Sequence, residues 1–276
     1  MDPKVKSLMQ TLETGVTQYM TGEQYTTYLK AMSKFHNYSF NNIMLILLQC
    51  PDATHVAGYT SWQKNFHRHV KKGEKGIRIL APAPFKAHRK AEDGTDEEIL
   101  VPNFKVTYVW DISQTDGDDL PALESDVLTG DVDGFTALFS AVKAVSKYPI
   151  ELSDISGGAL GYCNYNEKRI VVQQGMSEAQ TVKTAIHELA HSLIHSPEQA
   201  KVDGVRPDQR TREVQAESVA YVVCNHFKLD TRDYSFPYIA SWSTDLSLKE
   251  LRQSQEVICK TAHLIIESLI QQGGRI

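Results

Sequence analysis

The chain has 276 residues, 29 Lys and Arg against 34 Asp and Glu, and is 41% hydrophobic and 23% charged. That balance excludes a wholly disordered, collagen-like or disulfide-scaffold protein, and at roughly 150 residues per domain it predicts two modest domains or one large one. The longest apolar run, Ile43 to Leu48, falls far short of the ~20 residues that span a bilayer, so no membrane association is expected. The polar amino terminus has no apolar signal region, which points to the cytoplasm. Cysteines 50, 163, 224 and 259 form no C-x-x-C pair and read as free buried thiols.

In chain order, Val5, Leu8, Met9 and Leu12 recur at helical spacing and predict a helix. A second helix is expected over Asn41 to Gln49, ending before Pro51 because a residue preceding proline is pushed out of the helical region. The pattern then turns to strands, Lys75 to Ala81 and Phe104 to Trp110, with Arg89 to Glu98 between them as a charged hairpin tip or loop. Charge is segregated. Between Thr60 and Lys90 nine basic residues face the single acid Glu74, whereas Val106 to Ala141 has eight acids and no Lys or Arg. Gln114 to Pro121 combines turn formers with like charges, the composition of an exposed linker, which sets a domain boundary near residue 120. Beyond it, helices are expected over Val132 to Ser146, Glu178 to His195, Thr211 to Phe227 and Ser247 to Gln271, with a short strand at Arg169 to Val172. Ser177 and Gln180 have capping-box spacing at the start of the Glu178 helix.

The chemistry concentrates in His187-Glu188-Leu189-Ala190-His191. Residues four apart share a helical face one turn apart, so both imidazoles can reach one ion at the roughly 2.0 Å of a zinc–nitrogen bond. Glu188 can then lie beside metal-bound water without ligating, the position of a general base. A third ligand is expected from Glu213 or Glu217, which also share a helical face and begin 22 residues after His191. We assign Glu213 as ligand and Glu217 as the carboxylate that orients a ligand imidazole, although the two roles could be exchanged, or either acid could pair with Arg210 or Arg212. His195 comes eight residues after His187 rather than the ten of H-E-x-x-H-x-x-G-x-x-H and reads as structural. Tyr162, Tyr165, Tyr234, Tyr238 and His226 are candidate oxyanion stabilisers. The Gly157 to Tyr162 stretch is a candidate edge strand on which an extended peptide could add.

In the first half, Phe35, Tyr38, Phe40, Tyr59, Trp62 and Phe66 precede or interleave with Arg68, Lys71, Lys72, Lys75 and Arg78. Cationic grooves with aromatic platforms hold single-stranded nucleic acid without sequence readout. Trp62, Arg68, Lys71, Lys72, Lys75 and Arg78 are therefore the candidate DNA-binding residues, with a steep loss of affinity expected in salt.

Residues Tyr38 to Pro84, including Asn41-Asn42, Pro51 to Trp62 and Val70 to Ile77, resemble the N-terminal single-stranded-DNA-binding domain of ArdC-type antirestriction proteins. Gly157 to Asp230, with His187 to His191 and Arg212 to Glu217, resembles the ImmA/IrrE-like zinc metallopeptidases that accompany that domain. The resemblance implies carriage on mobile elements, protection of incoming DNA from restriction, and Glu213 in the third-ligand position. The fold class expected is α+β in two domains, residues 1–120 for single-stranded DNA and residues 121–276 for a zincin-like domain built round the H-E-x-x-H helix. Zinc is the expected cofactor, and single-stranded DNA and an unidentified protein or peptide substrate are the expected partners. The alternative is a DNA-binding antirestriction protein whose zinc is structural.

Overall fold

The computed structural model describes residues 2–20, 22–90, 96–120, 132–204, 206–229, 236 and 239–272. The architecture is mixed α/β, in two compact units: Met1–Thr17 with Asn41–Asp118, and Gln18–Phe40 with Asp119–Ile276. This departs from an uninterrupted 1–120 domain, because residues 18–40 leave the first unit and pack in the second.

The elements run α1 (Pro3–Tyr19), α2 (Gly22–Lys34), α3 (Phe40–Gln49), β1 (Val56–Ala57), α4 (Tyr59–Asn65), β2 (Arg68–Val70), β3 (Ile77–Pro82), β4 (Phe85–Lys90), β5 (Asp96–Val101), β6 (Phe104–Asp111), a 3-10 turn (Ile112–Gln114) and β7 (Thr115–Gly117). Then follow α5 (Val132–Val145), β8 (Ile150–Ser153), β9 (Gly161–Asn164), β10 (Arg169–Gln173), α6 (Glu178–Ile194), α7 (Pro197–Asp203), α8 (Gln209–His226), α9 (Ile239–Thr244) and α10 (Leu248–Gln271). Among the described residues no helix is long and apolar enough to cross a membrane.

In the first unit, α1 buries Val5, Leu8, Leu12 and Val16, one helical stripe, and α3 buries Ile43 to Leu47. The sheet order is β1-β6-β3, antiparallel throughout, with Ile77 opposite Val109 and Arg78 opposite Tyr108. β4 and β5 form the hairpin expected around Arg89 to Glu98, and residues 91–95 at its tip lie outside the described residues. The stretch read as a linker is ordered further than its composition suggests. Asp111 is buried, and its carboxylate accepts the N–H groups of Thr54, His55 and Ser113 and the Ser113 hydroxyl. It thereby caps the 3-10 turn, after which β7 pairs with β2. A charge satisfied by four donors acts as an anchor, so residues Gln114 to Gly117 belong to the fold of the first unit.

In the second unit the sheet order is β8-β10-β9, with β8 parallel and β9 antiparallel to β10. α8 is central. Val214, Ala216, Val219, Ala220, Tyr221, Val222 and Val223 are all buried around it, because α6, α10 and α2 each pack on a different side. A helix apolar on most of its circumference is an interior helix. α2 turns Tyr25, Tyr28, Leu29 and Met32 inward, and the Tyr25 hydroxyl hydrogen-bonds Ser218 of α8 at 2.7 Å.

Candidate metal centre and nucleic-acid surface

α6 starts at Ser177, whose side chain accepts the Gln180 N–H, and buries Val182, Ala185, Ile186, Leu189 and Ala190 against the core. That fixes the opposite stripe, His187 and His191, towards a cleft of about 550 Å³. α8 starts at Asp208, which accepts the Thr211 N–H, and brings Glu213 and Glu217 to the same cleft. His187 Nε2 and His191 Nε2 lie 3.1 Å apart, and a Glu213 Oε2 stands 3.5 Å from each. Ligands on a tetrahedral ion with bonds of ~2.1 Å are ~3.4 Å apart, so this triangle fits a first-row divalent cation.

The hydrogen bonds behind the imidazoles decide which nitrogen faces the cleft. His187 Nδ1 donates to Glu217 Oε2 at 3.1 Å, so in the neutral ring the lone pair is on Nε2. His195 Nε2 donates to Gln215 Oε1 at 2.8 Å, so His195 Nδ1 must accept, and it accepts from His191 Nδ1 at 2.9 Å. Gln215 is held in turn by donating to Ser254 Oγ at 2.8 Å. His191 therefore also presents a lone pair at Nε2. In that neutral form two lone pairs and a carboxylate are aimed at one point, where a divalent cation would satisfy all three. Where no ion is bound, shared protons hold the same groups together. Burial alone would lower His187, but its hydrogen bonds to Glu213 and Glu217 hold it up at about 9, and bonds to the two histidines hold Glu213 far below the usual carboxylate range. Burial pushes His195 down to about 4, which keeps it neutral in the tautomer just derived.

His195 is thus more than a structural histidine. Its sequence signal was the third step of the 187, 191, 195 stripe, but its use depends on Gln215 from α8.

Glu188 is buried, and burial raises its carboxyl above the usual range while the Cys163 N–H hydrogen-bonds it. β9 lies close against it. A Cβ on Gly161 would come within 2.6 Å of Thr184 Cγ2 and 3.1 Å of Glu188 Cγ, so only glycine fits the strand this near α6. β9 is the sheet edge and lines the cleft. Of the candidate oxyanion stabilisers, Tyr162 lines the cleft and Tyr165 lines it with its hydroxyl donating to the His191 carbonyl at 3.3 Å. His226 points elsewhere, donating to the Ser33 carbonyl. Tyr234 and Tyr238 lie outside the described residues.

The basic, aromatic stretch of the first unit resolves differently from its sequence reading. Trp62 is 1% exposed and donates Nε1–H to the Trp110 carbonyl at 2.9 Å, so it is core, not a stacking platform. Arg68 spends its guanidinium on Thr115, Gly117 and Asp118, and Lys71 donates to the Ser113 carbonyl at 2.9 Å and pairs with Asp116. Both tie β2 to β7. Lys72, Lys75 and Arg78 are exposed, Arg78 near Gln49. Phe35 and Phe40 are buried in the segment that belongs to the second unit. The aromatic cluster with exposed rings is Tyr59 and Tyr108 on either side of half-buried Trp110, with ring centroids 5.8 and 6.4 Å apart in succession. Tyr59 is 48% and Tyr108 45% exposed. Arg78 is the register partner of Tyr108, and Gly76 lies against the Trp110 ring, where a Cβ would meet Trp110 Cζ2 at 2.9 Å and Tyr108 Cβ at 3.0 Å.

Residues 5–110 match the family model of the N-terminal domain of anti-restriction factor ArdC. The ArdC match includes α2, the helix that packs in the second unit. The whole fold is similar to the crystal structure of the antirestriction ArdC protein from plasmid R388 in its metal-free form, with a TM-score of 0.51 and 22% identity over 85% of this chain and 84% of that one. The Mn(II)-bound form of that ArdC protein gives a TM-score of 0.51 and 21% identity over 84% and 83% of the two chains. An uncharacterized protein of Bacillus anthracis is 27% identical over 96% of this chain and 51% of its own length. The chain thus spans about half the length of that curated relative.

Proposed function

We propose that this chain is a DNA-binding, ArdC-like antirestriction protein of mobile elements that carries a divalent metal centre in its second unit. The observation that carries the reading is the match of residues 5–110 to the ArdC N-terminal domain. Single-stranded DNA is the partner we assign to it, bases stacking on Tyr59, Trp110 and Tyr108 and phosphates meeting Lys72, Lys75 and Arg78. His187, His191 and Glu213 are the ligands of the metal, Glu217 orients His187, and His195 with Gln215 orients His191. Two imidazoles and a carboxylate suit zinc, the ion expected from the sequence, and are compatible with neighbouring first-row ions.

A second reading, zinc-dependent hydrolysis of a peptide as in ImmA/IrrE-like zincins, has one favouring observation: Glu188 is buried in the cleft beneath the free edge of β9. A divalent ion held by the three ligands would supply Lewis acidity and a more acidic bound water. Glu188, whose carboxyl burial raises above the usual range, would accept a proton at its carboxylate and return it to a leaving amine. The β9 edge would hold an extended backbone in register.

The test is plasmid transfer into a restriction-proficient host expressing the full chain, with binding of single- and double-stranded oligonucleotides measured across a salt series. The proposal expects protection, a preference for the single strand and a steep salt slope. Absence of both protection and single-strand preference refutes it. Glu188→Gln separates the two readings: retained protection leaves a DNA-binding protein with a non-hydrolytic centre, and lost protection with intact DNA binding favours hydrolysis.

A further inference from the structure

Away from the H-E-x-x-H helix, a second group of imidazoles converges where the chain leaves α2, where α8 ends and along α10. His36 follows α2 and is buried, His226 is the last residue of α8, and His263 and Glu267 stand one turn apart on α10. His36 Nδ1 lies 3.3 Å from His263 Nδ1 and 3.8 Å from Glu267 Oε1, and one ligand atom from each of the three falls within 4.8 Å of the other two. His226 is edge-on to His36, with ring centroids 4.7 Å apart. Its Nδ1 donates to the Ser33 carbonyl at 3.0 Å, so its lone pair is on Nε2, the outer hydrogen bond usual for metal-binding histidines. Asn225 fastens the same turn by donating to Ser33 Oγ at 2.6 Å.

We infer that His36, His263 and Glu267 form a second site for a first-row divalent cation such as zinc, with His226 beside it. The polar groups around His36 are all Lewis bases, three imidazole or carboxylate partners from two helices. The 3.3 and 3.8 Å from His36 Nδ1 to His263 and Glu267 lie near the ~3.4 Å edge expected around a tetrahedral ion, and imidazole-rich sets select zinc and its neighbours over calcium or magnesium. His263 and Glu267, four apart on a helix, repeat the logic of the pair on α6, while His36 comes from a segment distant in sequence. An ion there would fasten the end of α2 to α10 beside the end of α8, the place where the chain returns from the second unit to the first.

The experiment uses the full chain carrying His187→Ala and His191→Ala, which removes the ligands of the first site. Zinc content after gel filtration and Co(II) visible absorption count what remains, and thermal melting with and without zinc reads the clamp. The site predicts two zinc ions per wild-type chain, one in the double variant, and a zinc-dependent rise in melting temperature that survives there. Adding Glu267→Gln, at a half-exposed position where folding is expected to be kept, lowers zinc affinity at least ~tenfold, and His263→Gln abolishes the Co(II) bands. No zinc retained by the double variant, or zinc retained with affinity unchanged by Glu267→Gln and His263→Gln, overturns the inference.

Discussion

Tyr108→Ala isolates the proposed nucleic-acid surface from the core beneath it. The ring is 45% exposed on the outer face of β6, 6.4 Å from Trp110, and a solvent-face substitution of this kind alters stability by ~0.5 kcal/mol or less. Stacking of one base on an aromatic side chain is worth ~1–3 kcal/mol, a factor of ~5 to ~160 in Kd. Trp62→Ala is the contrasting change. That side chain is 1% exposed and anchors β6 through the Trp110 carbonyl, so its loss costs ~3–5 kcal/mol and depresses the melting temperature by more than ~10 °C. Fluorescence anisotropy with a labelled oligothymidine, run beside thermal melting, reads both quantities. Tyr108→Ala should melt like the wild type and bind more weakly by the stated factor, whereas Trp62→Ala should lose binding only in step with its fold. Unchanged Kd in Tyr108→Ala and Tyr59→Ala, together with weakened binding by a normally melting Trp62→Ala, would refute the placement of the surface.

Other consequences can be measured in the same way. Gly161→Ala drives a methyl into Thr184 and the Glu188 stem and should cost ~1–3 kcal/mol by denaturant melting, while Gly175→Ala, with open space around it but a positive φ, should cost ~1 kcal/mol. Glu217→Gln should weaken zinc binding ~10–100-fold and Glu213→Gln more than that, by competition with a chromogenic chelator; the reverse order would exchange their roles. Burial, with Glu188 nearby, pushes the Cys163 thiol up to about 12, so in metal-stripped protein its alkylation should quicken about tenfold per pH unit from pH 8 to 11. Burial would raise Asp111, but its hydrogen bonds from Ser113, Thr54 and His55 hold it below the usual 3.8. The stability it contributes is thus present above that value and lost as pH falls through the lowered one, and Asp111→Asn should flatten the acid limb of the unfolding curve.

The histidine pair of the proposed metal site was legible because its first requirement is local: two histidines four apart share one helix face whatever the rest of the fold does. The tautomers were not, since they depend on Gln215 and Glu217 from α8 and Ser254 from α10. α2 escaped notice because its apolar face is built largely from tyrosines, whose burial is set by α8 and Phe236. The interleaving of aromatic and basic residues around Trp62 carried no information about inside and outside. The period-two placement of Phe104, Tyr108 and Trp110 on β6 did carry it, with Val109 and Asp111 buried on the other face. Asp111 looked like one more acid of a charged linker because its donors Thr54 and His55 lie more than fifty residues earlier.

The excursion of residues 18–40 into the second unit means that neither half of this protein is a removable cassette. A stop after Asp118 would release α2 with its Tyr25, Tyr28, Leu29 and Met32 stripped of the helix they lie against, and a start at Asp119 would leave α8 with that flank bare to water. During synthesis the first unit can close as soon as residue 118 has emerged, but α2 must wait for α8, about a hundred residues later. Proteolytic nicking between the units would likewise leave α2 docked, so the two pieces should co-elute. Gene fusion or truncation at the 118–119 boundary frees no sound partner from either side, which binds the inheritance of the first unit to that of the second.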